Sequence, residues 1–267
     1  MPDRSNDLYY RVLRFGLPAL LFAFFFNFAI LDPTNIGWLL RGDWAQHFLG
    51  WHAYRNGADG LNHQSLLAHP TGLSVLYTDS NPLLSLPLRL ISPLLPADFQ
   101  FIGLWFLLCL CLHYFIALKL VSRYAPGRWY ALGGALLLCL LPTLYNRIGH
   151  DTLFAHWLIL WALFIFFEIP DERRRQIGWA TLLTVCALVH PYILVMCLFI
   201  WAADQAASLR DIWRARDMGR GLRLMAAAAL AAAFSLTALW AGGGFAGSSA
   251  AGDGFGIYSM GLDGPFN

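Results

Sequence analysis

The sequence predicts an all-α membrane protein: about seven transmembrane helices, with a long first outer loop that carries interfacial amphipathic helices. Three observations lead there. Hydrophobic residues make up 58% of the 267 and charged residues 13%, where a soluble domain of this size carries about 25% charge. Mean hydropathy is +0.54. The apolar residues also arrive in long blocks, as a chain dissolved in lipid requires. The lipid bilayer is thus the first expected partner. A net charge of +2 provides no overall field that would attract nucleic acid.

A helix needs about 20 apolar residues to cross a bilayer core. Blocks at 13–31, 99–119, 129–145, 152–169, 177–189, 191–206 and 224–241 are the candidates. The apolar run after residue 176 contains His190-Pro191, and proline disfavours helix at the residue before it. A break there keeps the arginines from Arg210 to Arg223 on one side with the other basic clusters. All but four of the 18 lysines and arginines then fall inside; Arg41, Arg55, Arg89 and Arg147 fall outside. The positive-inside rule therefore favours seven spans and a cytoplasmic N-terminus. The five cysteines, Cys109, Cys111, Cys139, Cys186 and Cys197, all lie in apolar blocks and read as small buried hydrophobes.

Residues 1–241 are the expected transmembrane domain, with 32–98 as its first outer loop. Residues 242–267 begin with a Gly-rich stretch and are expected to be an outer loop leading into a further C-terminal region. Loops as long as 32–98 are uncommon unless functional. The stretch from Asp43 to Arg55 has helical periodicity, with Asp43, Gln46 and His47 at i, i+3 and i+4. Trp44, Phe48, Trp51 and Tyr54 form an aromatic side suited to a helix lying on the outer leaflet. Further on, Asp79-Ser80-Asn81-Pro82 reads as a helix start, with Ser80 or Asn81 as cap. His113 sits inside a span, where a structural histidine facing the bundle interior is expected.

The polar chemistry collects on the outer side. The stretch Arg41-Gly42-Asp43-Trp44-Ala45-Gln46-His47-Phe48-Leu49-Gly50-Trp51, with Tyr77-Thr78-Asp79-Ser80 downstream, resembles a family of uncharacterised bacterial membrane proteins grouped near the GT-C glycosyltransferase fold. The layout resembles that fold too: one span, a long outer loop opening with an acidic residue, then many spans. The resemblance implies an enzyme of the bacterial cytoplasmic membrane. It would move a sugar from a polyprenyl-phosphate-linked donor to a glycan, lipid or protein acceptor on the outer face. It assigns Asp43 as base or acceptor-orienting carboxylate. Many members of that fold carry an acidic pair at this place, whereas Asp43 stands alone.

Each residue has a structural alternative. Asp43 is also a good helix cap. His47, one turn on, is placed to share or tune its proton. Arg147 has the planar fork that suits a phosphate, or it snorkels at the interface. Asp151 either lines the site or caps the fourth span. Asp79 is placed for catalysis or simply stabilises its turn. Gln46, His150 and His190 are the remaining candidate substrate contacts. A divalent metal held by His47, Asp79, His150 and Asp151 is compatible with the composition, but no local spacing demonstrates it. The reading from a different class is a transporter or flippase component, or a non-catalytic assembly subunit for cell-envelope glycans. A transporter would concentrate polar groups at the bilayer midplane, where this sequence has few.

Overall fold

A computed structural model of the chain describes residues 4–246. The elements are almost all helices: α1 (Arg4–Phe25), α2 (Gly42–Gly57), α3 (Pro82–Leu90), α4 (Ile102–Val121), α5 (Arg128–Cys139), α6 (Pro142–Tyr145), α7 (Trp157–Glu168), α8 (Glu172–Val189), α9 (Pro191–Ala215) and α10 (Met218–Ala241). Short 3-10 turns occupy Phe28–Leu31, Gly37–Leu39 and Ser92–Leu94. One small antiparallel ribbon pairs His63–Gln64 with Leu73–Ser74.

Local chemistry sets several of the helix boundaries. Asp171 accepts from the Arg174 amide and starts α8; Asp217 accepts from the Arg220 amide and starts α10. His190 ends α8, and its ring accepts from the Tyr192 amide at the start of α9, where Pro191 occupies the first helical position. Pro82 likewise opens α3, with Asn81 at the cap position in the left-handed region.

Four helices are long and apolar enough to cross a membrane: Asp7–Phe25, Ile102–Val121, Pro191–Ala215 and Met218–Ala241. Large apolar side chains such as Phe24, Leu137, Phe199 and Trp213 point outward. Long apolar helices and an apolar exterior together mark a membrane protein. The blocks expected to cross at 129–145 and 152–169 are shorter as helices, while the block at 177–189 is part of a longer one. The helices α5 and α7 have 12 residues each, because between Cys139 and Trp157 the chain forms turns and only the four-residue α6, whereas α8 has 18.

The helix α4 is the hub, packed on α1, α5 and α7, while α8 packs on α7, α9 and α10. Trp105, Phe106, Cys109, Leu110 and Tyr114 of α4 are almost wholly buried. His113 is buried beside them, with Nε2 3.2 Å from the Leu138 carbonyl. Helix ends gather at two opposite poles. At one pole Arg128 pairs with Asp7, Arg123 with Glu168 (2.6 Å) and Arg220 with Glu172 (2.9 Å). The other pole carries the segment 26–101 and the 140–156 turn.

That segment is more deeply built in than a helix lying on a leaflet. Phe48, Trp51 and Tyr54 of α2 turn into the protein core, not toward lipid. Two of these rings carry a polar atom that needs a partner once buried. Trp51 Nε1 donates to the Phe99 carbonyl (2.9 Å), and the Tyr54 hydroxyl donates to the Leu61 carbonyl. Arg55 then ties the end of α2 to the stretch before α4, donating to Ser92 Oγ and to the Ser92 and Leu95 carbonyls at 2.7–2.9 Å. The first residues of the expected Gly-rich loop also dock here. Gly242 accepts from the Leu76 amide, and Gly244 accepts from the Tyr77 hydroxyl. The rest of that stretch, from residue 247, lies outside the described residues.

One glycine permits the packing of α4 under this segment. A Cβ at Gly103 would lie 1.9 Å from the Ile30 carbonyl oxygen. Neighbouring Gln100 already holds the Ile30 and Asp32 carbonyls at 2.8 Å. Gly103→Ala should therefore destabilise the protein by about 3 kcal/mol, at the upper end of overpacking costs. At Gly133 a Cβ meets nothing within 4 Å. Gly133→Ala should be neutral or mildly stabilising through helix propensity. Thermal unfolding of the two variants in the same detergent checks the contrast; equal midpoints would refute this packing.

Candidate functional site

At the pole that carries the segment 26–101, seven polar residues include three acid–histidine pairs. His47 Nδ1 lies 3.0 Å from Asp151 Oδ1. His150 Nε2 lies 3.4 Å from Asp43 Oδ2, and His190 Nε2 lies 3.7 Å from Asp79 Oδ1. The pairs interlock. His47 Nδ1 is also 3.1 Å from the Asp79 carbonyl, and the His47 and His150 rings stand edge to face at 5.7 Å. The residues come from α2, the turn before α3, the turn before α7, and the α8–α9 junction.

Close backbone approach makes this convergence feasible. At Gly50 an added Cβ would lie 2.6 Å from the Thr78 carbonyl oxygen and 2.7 Å from Ser80 Oγ. The bare glycine lets α2 press against the 78–80 turn and brings His47 to Asp79. Two tryptophans hold the opposite wall. Trp44 Nε1 donates to the Ile148 carbonyl and Trp105 Nε1 to the Asp151 carbonyl, both at 2.8 Å. The sequence marks Trp44 only as part of an aromatic side, and neither Gly50 nor Trp105 stands out in it, because each acts across a long chain separation. The one local signal is a glycine in mid-helix, which usually has a packing reason.

The electrostatics separate the two buried rings. For His47, burial alone would push the pKa down. The Asp151 carboxylate and the Asp79 carbonyl more than offset this and raise it to about 9. For His190, burial and the charges of His47, His150 and Arg147 outweigh the pull of Asp151, and the pKa falls to about 4. Near neutral pH the charged form is therefore favoured at His47 and the neutral form at His190. His190 Nδ1 accepts from the Tyr192 amide, which places its proton on Nε2, facing Asp79. Burial also raises the Asp79 carboxyl above its usual range, helped by Asp151 and opposed by the His47 and His150 charges. Environments that drive titratable neighbours apart are a recurring feature of acid–base sites.

Asp151 does not cap the fourth apolar block. The helix α7 starts only at Trp157 with His156 at its cap position, and the Asp151 side chain turns inward, 2% exposed. The chain is still in turns at that point, so there are no helical amides beside the carboxylate to donate to it. The His47 Nδ1–H is aligned with the Asp79 carbonyl, so Asp151 Oδ1 is held by charge and has no hydrogen-bond partner. Thr152 Oγ1 and both polar atoms of the Asn81 side chain are likewise buried without partners. Such orphans are uncommon in folded proteins.

Asp43 and Arg147 sit at the exposed rim. The Asp43 side chain is 61% exposed, yet its carboxylate reaches His150 and passes Gly149, so it remains joined to the buried pairs. Arg147 forms no ion pair among the described residues, but its charge acts on both His156 and His190. Gln46 stays exposed while His47 is buried, and its side chain makes no hydrogen bond among the described residues. Of the eight candidates, Gln46 and Arg147 make no side-chain hydrogen bond or ion pair to the cluster among the described residues. Among the described residues no group of three or more His, Cys, Asp or Glu side chains is arranged to hold a metal ion. In this structure His47, Asp79, His150 and Asp151 form pairs and do not converge on one point.

The raised His47 pKa makes stability depend on pH with a defined sign. The ordinary imidazole value is about 6.5. A group bound more tightly when protonated contributes fully below that value and loses its contribution as pH rises through the folded-state value near 9. The free energy of unfolding should fall between about pH 6.5 and 9 in the wild type, by an amount on the order of 3 kcal/mol, and the thermal midpoint should fall with it. His47→Gln should flatten that segment of the profile. An unchanged slope in the variant would show that His47 does not titrate in this window.

No curated relative and no solved structure matches the chain. A described family does match, across residues 15–267, and this span takes in every residue of the cluster. The chain belongs to the family described as a domain of unknown function, DUF6311.

Proposed function

We propose that the protein is a membrane glycosyltransferase. It takes a sugar from a polyprenyl-phosphate-linked donor and transfers it to a glycan, lipid or protein acceptor on the outer face of the bacterial cytoplasmic membrane. The observation that carries this reading is the set of three interlocked acid–histidine pairs, with Asp43 and Arg147 left exposed at its rim. Transfer needs a base for the acceptor hydroxyl and a counter-charge for the leaving phosphate. Asp43 is the carboxylate an acceptor can reach. It takes the hydroxyl proton as the acceptor oxygen attacks the anomeric carbon. His150, 3.4 Å away, relays or stabilises that proton. The bond from the anomeric carbon to the phosphate oxygen breaks, and Arg147 neutralises the departing lipid phosphate. The buried His47–Asp151 pair and the Asp79–His190 pair hold the rim in place. Gln46, exposed one turn from Asp43, is available to the acceptor.

In this reading α5, α7 and α8 also traverse the bilayer, giving seven crossings with local thinning around the two 12-residue helices. The Arg-rich pole faces the cytoplasm together with the N-terminus, as the positive-inside rule favours. The cluster then opens on the outer side, where lipid-linked sugars are used.

The purified protein in lipid should release free polyprenyl phosphate from a polyprenyl-phosphate sugar when an acceptor mixture from membranes is supplied. Asp43→Asn should slow release at least about a hundredfold, the lower range for loss of a positioned base. Arg147→Gln should slow it too. Normal release by Asp43→Asn would remove Asp43 from the mechanism, and no release by the wild type from any donor would remove the enzyme. Sidedness is checked separately. Single cysteines replacing Asn146 and Arg214 should react with an impermeant reagent from opposite faces of intact cells and inverted vesicles. Labelling from one face would overturn the topology.

A further inference from the structure

A second feature lies at the opposite pole and does not depend on the transfer chemistry. A groove of about 700 Å³ runs between α8 and α10. Along most of its length the walls are apolar: Ile177 and Val185 on one side, Leu224, Leu230 and Phe234 on the other. Thr181 and Thr184 also line it, but their hydroxyls are spent on the Ile177 and Ala180 carbonyls within α8. The walls therefore offer almost nothing to a polar occupant and suit hydrocarbon.

One end is different. Arg173 from the first turn of α8 and Arg223 from the start of α10 stand at the mouth, both exposed, and neither forms an ion pair among the described residues. Glu172, the acid at this end, is already engaged by Arg220 at 2.9 Å. Inside the mouth sits Gln176, 7% exposed, whose Nε2 has no hydrogen-bond partner. Two free guanidinium groups and a buried unsatisfied donor thus converge on the entrance of an apolar channel. From Arg173 to Val185 the groove follows α8 for about 18 Å, at the helical rise of about 1.5 Å per residue. One leaflet of a bilayer is about 15 Å of hydrocarbon deep, half of a core of about 30 Å.

We propose that this groove is a binding site for one anionic phospholipid of the leaflet at the Arg-rich pole. An acyl chain lies along α8 and α10, and the phosphate is held between Arg173 and Arg223. The Gln176 amide donates to a phosphate or ester oxygen. Charge complementarity selects the anionic headgroup, since a zwitterionic lipid would bring its own cation against two arginines.

The test uses the full chain, delipidated in detergent and then offered equal amounts of phosphatidylglycerol and phosphatidylcholine, with bound lipid read by native mass spectrometry. The wild type should retain one phosphatidylglycerol with a preference of about thirtyfold, as two arginines near a lipid phosphate supply. Arg173→Gln with Arg223→Gln should abolish the preference. Arg174→Gln, a neighbouring exposed arginine outside the groove, should leave it intact. Ala227→Trp, which fills the groove, should reduce retention of both lipids. Equal retention of the two lipids by the wild type, or a preference that survives the double substitution, overturns the proposal. A dimer that disappears with Ala227→Trp would replace it with a second copy of this chain as the occupant.

Discussion

The half of this structure that carries the segment 26–101 depends on one buried imidazole. His47 extends from α2 and meets the backbone of the 78–80 turn and the side chain of Asp151, so one ring joins two parts of the long outer segment to the helical bundle. An imidazolium in so dry a place survives only with a carboxylate beside it, and Asp151 supplies one. Gly50 lets α2 come close enough for the contact, and Trp44 and Trp105 fix the backbone that carries Asp151. The other two acid–histidine pairs build outward from this node.

The two poles solve the problem of charge near lipid differently. The pole with the N-termini of α1, α8 and α10 uses arginine with aspartate or glutamate, strong and always charged, including the buried Arg175–Asp204 pair backed by Trp179. The pole with the cluster uses histidine, whose charge can be moved by its surroundings. His47 and His190 are pushed to opposite ends of the imidazole range although Asp151 acts on both. Fixed charge suits anchoring to a headgroup layer, and movable charge suits proton chemistry.

Much of the site was legible in the sequence because polar residues are conspicuous in a chain this apolar. Asp43, His47, Asp79, Arg147, His150, Asp151 and His190 could be selected by their rarity and by falling on one side of the arginine pattern. The break at His190-Pro191 was legible because proline constrains its neighbour. The orientation of the aromatic side of α2 was not. An aromatic stripe reads the same whether it faces lipid or core, and only the partners at Phe99 and Leu61 distinguish them. Helix length in the 129–169 region was hidden as well, since apolar residues such as Leu140, Leu141, Leu153 and Phe154 flank the polar stretch 146–151 yet lie outside the helices.

The sequence by itself determined a membrane-embedded helical chain, the points where several helices begin and end, and the segregation of arginines from histidines. These follow from composition and from contacts within a few residues, which a linear string records. Only the tertiary structure decided that Asp151 turns to His47 instead of capping a helix, that Gln46 stays outside the cluster, and that Gly50 and Gly103 are points of closest approach. Those outcomes depend on which surfaces meet after folding, and hydrogen bonds across dozens of residues leave no periodic mark in the order of amino acids.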